Sequence, residues 1–261
     1  MPLNWLDLTT VSFNTILLFE KIQLSWFPGW LPENDLAVAL KANPVVEWYL
    51  RQKCQAISPW VDQVMTNAPI DPPTPEKVRE SEISVLRSVE DLVVYAIAPN
   101  VYDAQPFMNW DSSELSCLVD FNHKIVVDVG AGTGRLTFIA SPEARVIYAV
   151  EPVANLRDYI REKAHKLGCS NVFPVDGLIT NLPFSNEFAD VVMCGHVFGD
   201  DLVGEYNELM RITRIGGKVI LCPGTGVSEE TAHLFLVEQD FSWAWFEEPR
   251  DGMKRKYWKT R

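Results

Sequence analysis

From residue 121 onward, short apolar runs rich in β-branched residues alternate with segments whose apolar positions recur at helical spacing. Short runs of this kind between turn signals are typical of buried strands. The predicted strands are 125–129, 146–150, 172–175, 188–194 and 218–222, and the predicted helices are 155–167, 202–213 and 229–238. Alternating strands and helices predict an α/β fold, a Rossmann-like doubly wound sheet of five parallel strands covered on both faces.

Two further predicted strands follow the last predicted helix, the aromatic-rich run 242–247 and the basic and aromatic run 254–259, and they are separated by Pro249 and Gly252. Strands joined by so short a turn must be antiparallel. The sequence therefore predicts that a C-terminal hairpin completes the sheet. Pro174 lies in the third predicted strand, and a proline within a sheet is expected at its edge.

Residues 1–120 show a helical pattern without strand signals. Four prolines fall between Pro69 and Pro75, and Thr74 with Pro75 forms a helix-start signal. Apolar residues then recur at spacings of three and four as far as residue 97, which predicts one continuous helix ended by Pro99. We expect an N-terminal helical extension over 1–120, a cap on the substrate side of a core at 121–261.

Six of the nine tryptophans lie in residues 1–110. The simplest interpretation is that they pack small helices together. The alternative is that they form a hydrophobic wall over a substrate pocket.

The uncharged apolar segment from Leu8 to Phe19 is too short to span a bilayer, and no basic residue precedes Lys21. It is predicted to be a partly buried segment, and no membrane association is expected. The five cysteines are scattered without zinc-like spacing, which favours a reducing, cytoplasmic location and no metal site.

The formal net charge is −12, and residues 1–120 carry 16 acidic and 7 basic residues. A chain without a basic face is a poor partner for the phosphates of a nucleic acid. We therefore expect no nucleic-acid partner. The oligomeric state is left open.

A glycine-rich segment, Asp128-Val-Gly130-Ala131-Gly132-Thr-Gly134, begins at the end of the first predicted strand and precedes a helix. Glycines at such a turn allow the backbone to approach a ligand closely. The spacing G-x-G-x-G differs from the G-x-G-x-x-G of dinucleotide-binding proteins. In addition, the carboxylate of Asp128 would repel a pyrophosphate and suits a positively charged ligand that carries an amino acid.

Carboxylates also follow the next two predicted strands, Glu151 and Asp176. A carboxylate at the position of Glu151 can accept both hydroxyl groups of a ribose. Asp176 is placed to accept a hydrogen bond from an adenine amino group. Three acids at three successive strand ends predict one nucleoside-containing ligand, S-adenosylmethionine (SAM).

These motifs resemble class I SAM-dependent methyltransferases of the type 11-like group, over residues 121–261. The resemblance rests on 127–134, Glu151, Asp176-Gly177, the segments 182–184 and 188–190, and the approach to the fifth strand. It implies a methyltransferase that converts SAM to S-adenosylhomocysteine without a metal. The cofactor-binding residues that it implies are Asp128, Gly130, Ala131, Gly132, Gly134, Glu151, Pro152, Asp176, Gly177 and Cys194.

The acceptor side is expected after the fourth strand. His196 is the candidate catalytic residue, as a base or as a group that orients the acceptor; the alternative is a hydrogen-bonded structural histidine. Tyr102 and Phe198 are candidate substrate contacts, and the other three histidines are interpreted as surface or loop residues. A small-molecule acceptor is expected, and the alternatives are a protein or RNA acceptor, or a SAM-binding protein without turnover.

Overall fold

The computed structural model describes residues 4–226 and 228–261. The chain divides into two compact units, the first ending at Tyr102 and the second formed by Asp103–Arg261. Residues 103–120, which the sequence assigned to the N-terminal extension, therefore fold within the second unit.

The first unit is helical. Its α-helices are α1 (Lys21–Ser25), α2 (Glu33–Ala42), α3 (Pro44–Lys53), α4 (Ser58–Thr66), α5 (Pro75–Ser88) and α6 (Glu90–Ile97), and α7 (Pro99–Asp103) contains the unit boundary. Short 3-10 helices cover Phe13–Leu18 and Gln55–Ile57. Thr74 caps α5 through its side-chain oxygen, as its position before Pro75 predicts.

The segment from Leu8 to Phe19 contributes to the core of this unit, where Phe13, Ile16 and Phe19 are buried. Its apolar character thus serves packing within the unit. Within residues 4–226 and 228–261, every helix is too short or too polar to span a bilayer.

The prediction of one continuous helix as far as residue 97 is wrong, because the chain leaves helical geometry at Val89 (φ −131°, ψ 35°). Glu90 is buried there and accepts hydrogen bonds from the backbone N–H groups of Asn4, Trp5 and Leu6, at 2.5 to 3.1 Å. The break between α5 and α6 thus directs a carboxylate toward the N-terminal segment, a long-range contact that periodicity does not reveal.

The second unit contains a seven-stranded sheet in the order β3-β2-β1-β4-β5-β7-β6. Its strands are β1 (Ile125–Val129), β2 (Val146–Val150), β3 (Val172–Val175), β4 (Ala189–Cys194), β5 (Thr213–Leu221), β6 (Ser242–Glu248) and β7 (Gly252–Thr260). Its α-helices are α8 (Ser113–Ser116), α9 (Thr137–Ala140), α10 (Ala154–Leu167), α11 (Leu202–Ile212) and α12 (Glu230–Glu238), with a 3-10 turn at Pro106–Met108.

The first five strands pair in parallel, and β7 pairs antiparallel with both β5 and β6. The predicted Rossmann-like α/β fold with a closing hairpin is confirmed. β3 lies at one edge of the sheet, as Pro174 indicated.

Strand register brings the predicted ligand-binding residues to one end of the sheet. Val129, the last residue of β1, pairs with Val150 at the end of β2 and with Cys194 at the end of β4. The strand order reverses between β1 and β4. In open α/β sheets, ligands bind outside the carboxyl ends of the strands at this switch point.

The segment before β1 is tied to the sheet by apolar packing. Trp110, Leu115 and Phe121 are buried in a cluster that also contains Val126 of β1 and Ile147 of β2. This packing explains why the unit boundary falls at 102–103, ahead of residue 120.

Candidate functional site

The glycine segment after β1 adopts left-handed backbone conformations, with φ of 68° at Gly130, 56° at Gly132 and 87° at Gly134. A Cβ atom at Gly130 would lie 2.4 Å from Cγ1 of Val197. A Cβ atom at Gly134 would lie 2.4 Å from Cε2 of Phe138. Both the backbone conformation and the close neighbours therefore require glycine at these two positions.

Four backbone N–H groups of this loop have acceptors within the protein. Gly130 and Ala131 donate to the carbonyl oxygen of Val150 (2.8 and 3.0 Å), and Gly134 donates to Ala131 (2.7 Å). Gly132 donates to a carboxylate oxygen of Glu151 at 2.9 Å. Because these four donors are occupied, they are not free to bind a phosphate. The observation agrees with the absence of the dinucleotide spacing.

Asp128 lies at the end of β1 with its carboxylate buried, and it accepts a hydrogen bond from the hydroxyl of Thr137 at 2.6 Å. Burial raises the pKa of Asp128 to about 7, against the lowering effect of the bond from Thr137. A buried acid of this kind is stabilised in its charged form by a cationic ligand.

Glu151 follows β2 and is also buried. Its second oxygen accepts a hydrogen bond from the N–H of Val153 at 3.0 Å, across Pro152. Burial raises the pKa of Glu151 to about 7, although the N–H donors of Val153 and Gly132 oppose the rise. A carboxylate oxygen has more than one acceptor site, so Glu151 retains capacity for ligand hydroxyl groups.

Asp176 and Gly177 follow β3 in a different environment. The side chain of Asp176 is 75% exposed and forms an ion pair with Arg157 at 3.1 Å. Gly177 packs closely on Val150, since a Cβ atom there would lie 2.8 Å from Cγ1 of that residue. The adenine contact assigned to Asp176 stays a prediction.

At the end of β4, Cys194 is buried and lies between Val129 of β1 and Leu221 of β5. Burial raises the pKa of the Cys194 thiol. A neutral thiol is a poor nucleophile, so the side chain acts as a small apolar group. Phe198, four residues on, is half-buried and packs against Phe235 of α12, with ring centroids 6.2 Å apart.

His196 departs from β4 with a left-handed backbone (φ 57°), which is uncommon for a residue with a side chain. Its backbone N–H donates to the carbonyl of Pro223, after β5, at 3.0 Å. Its ring Nε2 lies 3.1 and 3.2 Å from the two carboxylate oxygens of Glu248. His196 is thus held at the carboxyl end of the sheet, and its side chain is partly exposed.

Glu248 is a functional candidate that the sequence analysis missed. It ends β6, 52 residues after His196, and its side chain is fully buried. Arg135, which follows the glycine loop, forms an ion pair with the same carboxylate. Burial alone would raise the pKa of Glu248, but the hydrogen bonds and charges of His196 and Arg135 lower it to about 2.

Arg135, which pairs with Glu248, also lines a cavity of about 300 Å³ within the second unit. Its guanidinium lies 4.4 Å from the ring centroid of Trp110, a cation–π contact. The cavity is lined by Trp110, Arg135, Phe138 and Lys163, among other residues of the segments 103–112 and 134–163. Lys163 forms an ion pair with Asp103 at 2.7 Å. A mixed aromatic and polar lining of this size suits a small molecule.

One group in the described part of the chain could hold a metal ion: His196, Glu248 and Asp251 offer ligand atoms within 4.8 Å of one another. However, Arg135 pairs with Glu248, and Lys254 pairs with Asp251 at 2.8 Å. These cations neutralise both carboxylates and would repel a divalent metal.

Tyr102 and His233 each contact aromatic residues of their own unit. Tyr102 belongs to the first unit, where its ring makes edge contacts with Tyr95 (5.1 Å) and Trp5 (6.0 Å). The prediction that His233 is a surface residue is wrong. His233 is buried in α12, and its Nδ1 lies 2.9 Å from the hydroxyl oxygen of Tyr257.

The second unit thus has a Rossmann-like fold with buried carboxylates beside its glycine loop. A family model described as a methyltransferase domain matches residues 127–221. The chain is 26% identical over 153 residues to an uncharacterized methyltransferase of Anoxybacillus flavithermus, an alignment that covers 56% of this chain and 68% of that protein.

Two solved structures share the fold. A SAM-dependent methyltransferase from Aquifex aeolicus superposes with a TM-score of 0.50 at 18% identity, covering 61% of this chain and 94% of that one. The phosphoethanolamine N-methyltransferase 1 of Haemonchus contortus, in complex with phosphoethanolamine and S-adenosylhomocysteine, superposes with a TM-score of 0.51 at 17% identity, covering 71% and 49%. The part of the chain that carries the glycine and carboxylate motifs is therefore similar to methyltransferase domains, as those motifs indicated.

Proposed function

We propose that the chain transfers the methyl group of SAM to a small-molecule acceptor and releases S-adenosylhomocysteine. The observation that carries the proposal is the pair of buried carboxylates, Asp128 and Glu151, beside a glycine loop in which four N–H groups are occupied. Such a site disfavours a phosphate. It favours the positively charged amino-acid part and the ribose hydroxyl groups of SAM.

A small acceptor is supported by the cavity beside Arg135 and Trp110, which has the volume of a small-molecule site. The chemistry requires few specialised groups, because the sulfonium is already a good leaving group. The protein therefore acts by positioning the reactants and excluding water.

The test of cofactor binding is calorimetric titration with SAM. Asp128→Asn and Glu151→Gln should each weaken binding by about 1–3 kcal/mol, because each removes a charged hydrogen-bond acceptor. Glu143→Gln, at an exposed position near the same strands, is the matched control and should bind SAM normally. Unchanged SAM affinity in both variants would contradict the assignment of Asp128 and Glu151 to the SAM site.

Turnover is tested by incubating the purified protein with methyl-labelled SAM and a fractionated metabolite extract. Label transferred to a compound of low mass supports the proposal. Label that enters only protein or RNA fractions contradicts the small-molecule acceptor. SAM binding without any S-adenosylhomocysteine formed would identify a binding protein without turnover.

A further inference from the structure

His196 and Glu248 form a contact that the cofactor site does not explain. Glu248 is fully buried, and both of its oxygens face Nε2 of His196 at 3.1 and 3.2 Å. Carboxylates are rarely buried unless they are paired. Here the partners are an imidazole at the end of β4 and the guanidinium of Arg135.

The carboxylate of Glu248 determines which ring nitrogen of neutral His196 carries the proton. An ionised carboxylate only accepts hydrogen bonds, so neutral His196 must carry its proton on Nε2. The other ring nitrogen, Nδ1, is then a proton acceptor. Within the described residues, Nδ1 makes no hydrogen bond. The side chain is 37% exposed, so the ring is not enclosed by the protein.

We propose that His196 acts as a general base through Nδ1, that Glu248 is the positioning residue that holds it in that form, and that the acceptor is a hydroxyl compound. This inference rests on the proposed function and specifies its acceptor class. A hydroxyl oxygen is a weak nucleophile that must lose its proton as it is methylated, whereas a thioether or tertiary amine needs no base.

The step is balanced in atoms and charge. The oxygen lone pair of the acceptor forms the new bond to the methyl carbon, and the carbon–sulfur electron pair returns to sulfur. The hydroxyl proton passes to Nδ1 of His196. The positive charge thus moves from the sulfonium to the imidazolium, which lies against the Glu248 carboxylate and is stabilised by it.

Arg135 determines how the side-chain amide would be oriented in the Glu248→Gln variant. Its Nη1 donates to Oε1 of Glu248, so that oxygen must remain an acceptor. If residue 248 were glutamine, its oxygen would turn to Arg135 and its NH₂ group would face Nε2 of His196. The imidazole would then shift its proton to Nδ1, which could no longer act as a base.

The first experiment measures the ring tautomer of His196 by ¹⁵N NMR in the full-length protein with S-adenosylhomocysteine, after treatment with a chelator. The wild-type ring should be protonated on Nε2 in its neutral form. Glu248→Gln should move the proton to Nδ1, and Glu247→Gln, at the exposed neighbouring position, should not. A wild-type Nδ1–H ring, or an unchanged ring in Glu248→Gln, overturns the proposal.

The second experiment uses methyl-¹³C SAM with a metabolite extract, because the carbon shift of the transferred methyl group identifies the atom that received it. The methyl group should appear on oxygen, and Glu248→Gln should slow transfer by at least about 100-fold while SAM affinity stays within about twofold. Glu247→Gln should match the wild type. Methyl transfer to sulfur or nitrogen overturns the hydroxyl acceptor.

Failure of the proposed function would look different. If SAM binds without any transfer, methyl transfer itself is refuted, while the tautomer measurement still decides the His196–Glu248 arrangement. Titration with Mg²⁺ or Zn²⁺ alone provides a further check. Tight binding that perturbs the His196 ring would assign the group to a metal and overturn its role as a base.

Discussion

At the scale of single residues, burial makes the ionised forms of the Asp128 and Glu151 carboxylates energetically costly. Both lie at strand ends with few polar partners, and burial raises the pKa of each to about 7. A bound cation lowers this energetic cost by stabilising the ionised form. Buried carboxylates of this kind are suited to holding a positively charged ligand.

The raised pKa values of Asp128 and Glu151 predict how the free energy of unfolding depends on pH. The folded pKa of each carboxyl is raised above its ordinary value, so the folded state retains these protons longer than the unfolded chain. Their contribution is complete below about pH 4 and is lost as the pH rises through 7. The loss per carboxyl is on the order of 3 kcal/mol.

Urea unfolding at about pH 5 and about pH 8 measures this effect. Asp128→Asn cannot ionise and retains an acceptor for Thr137, so it should lose less stability across the window than the wild type. Glu143→Gln should follow the wild type because that side chain is exposed. An Asp128→Asn profile as steep as that of the wild type would contradict the predicted origin of the effect.

At the scale of secondary-structure elements, the glycine loop is built by contacts from two directions. Val197, from the chain after β4, packs on Gly130, and Phe138 of α9 packs on Gly134. The loop therefore requires glycine for packing as well as for backbone conformation.

Gly130→Ala tests this packing. The new Cβ atom would meet Val197 at 2.4 Å, whereas Gly168→Ala, at the end of α10, has a similar φ of 70° with nothing within 4 Å. Gly168→Ala should lose only the backbone strain, about 1–2 kcal/mol. Gly130→Ala should lose that amount and a further ~1–3 kcal/mol for overpacking.

Thermal and chemical unfolding of the two glycine variants provide the comparison. Equal losses would show that Val197 moves away freely and that the contact does not constrain the loop. A greater loss in Gly130→Ala together with weakened SAM binding would link the contact to the cofactor site.

Elements with local signals were predictable from the sequence. Each strand of the parallel sheet is a compact apolar run, Pro174 marked an edge, and Asp128 and Glu151 lie at the carboxyl ends of strands. The helix break at Val89 was not predictable, because it depends on hydrogen bonds between Glu90 and residues more than 80 positions away. Glu248 was missed for a similar reason, since only the folded hairpin brings it to His196.

At the scale of the whole molecule, the chain has two units with separate apolar cores. The buried core of the first unit is drawn from residues 8–96, and those of the second from residues 110–257. A core substitution should therefore weaken chiefly the unit that contains it.

Leu40→Ala and Leu209→Ala form a matched pair, one buried leucine from each core. Each should lower stability by about 2–5 kcal/mol. Hydrogen exchange followed by mass spectrometry should show the loss of protection concentrated in 4–102 for Leu40→Ala and in 103–261 for Leu209→Ala. A uniform loss over the whole chain in both variants would show that the units unfold as one.

The placement of Glu248 on the β6–β7 hairpin also has a consequence during protein synthesis. On the ribosome, β1 and β2 emerge with Asp128 and Glu151 well before the hairpin that carries Glu248. A nascent chain thus possesses both of these carboxylates while His196 still lacks its partner. If His196 acts as proposed, the capacity for methyl transfer arises only when the hairpin joins β5, so translation delays the chemistry until the sheet is assembled.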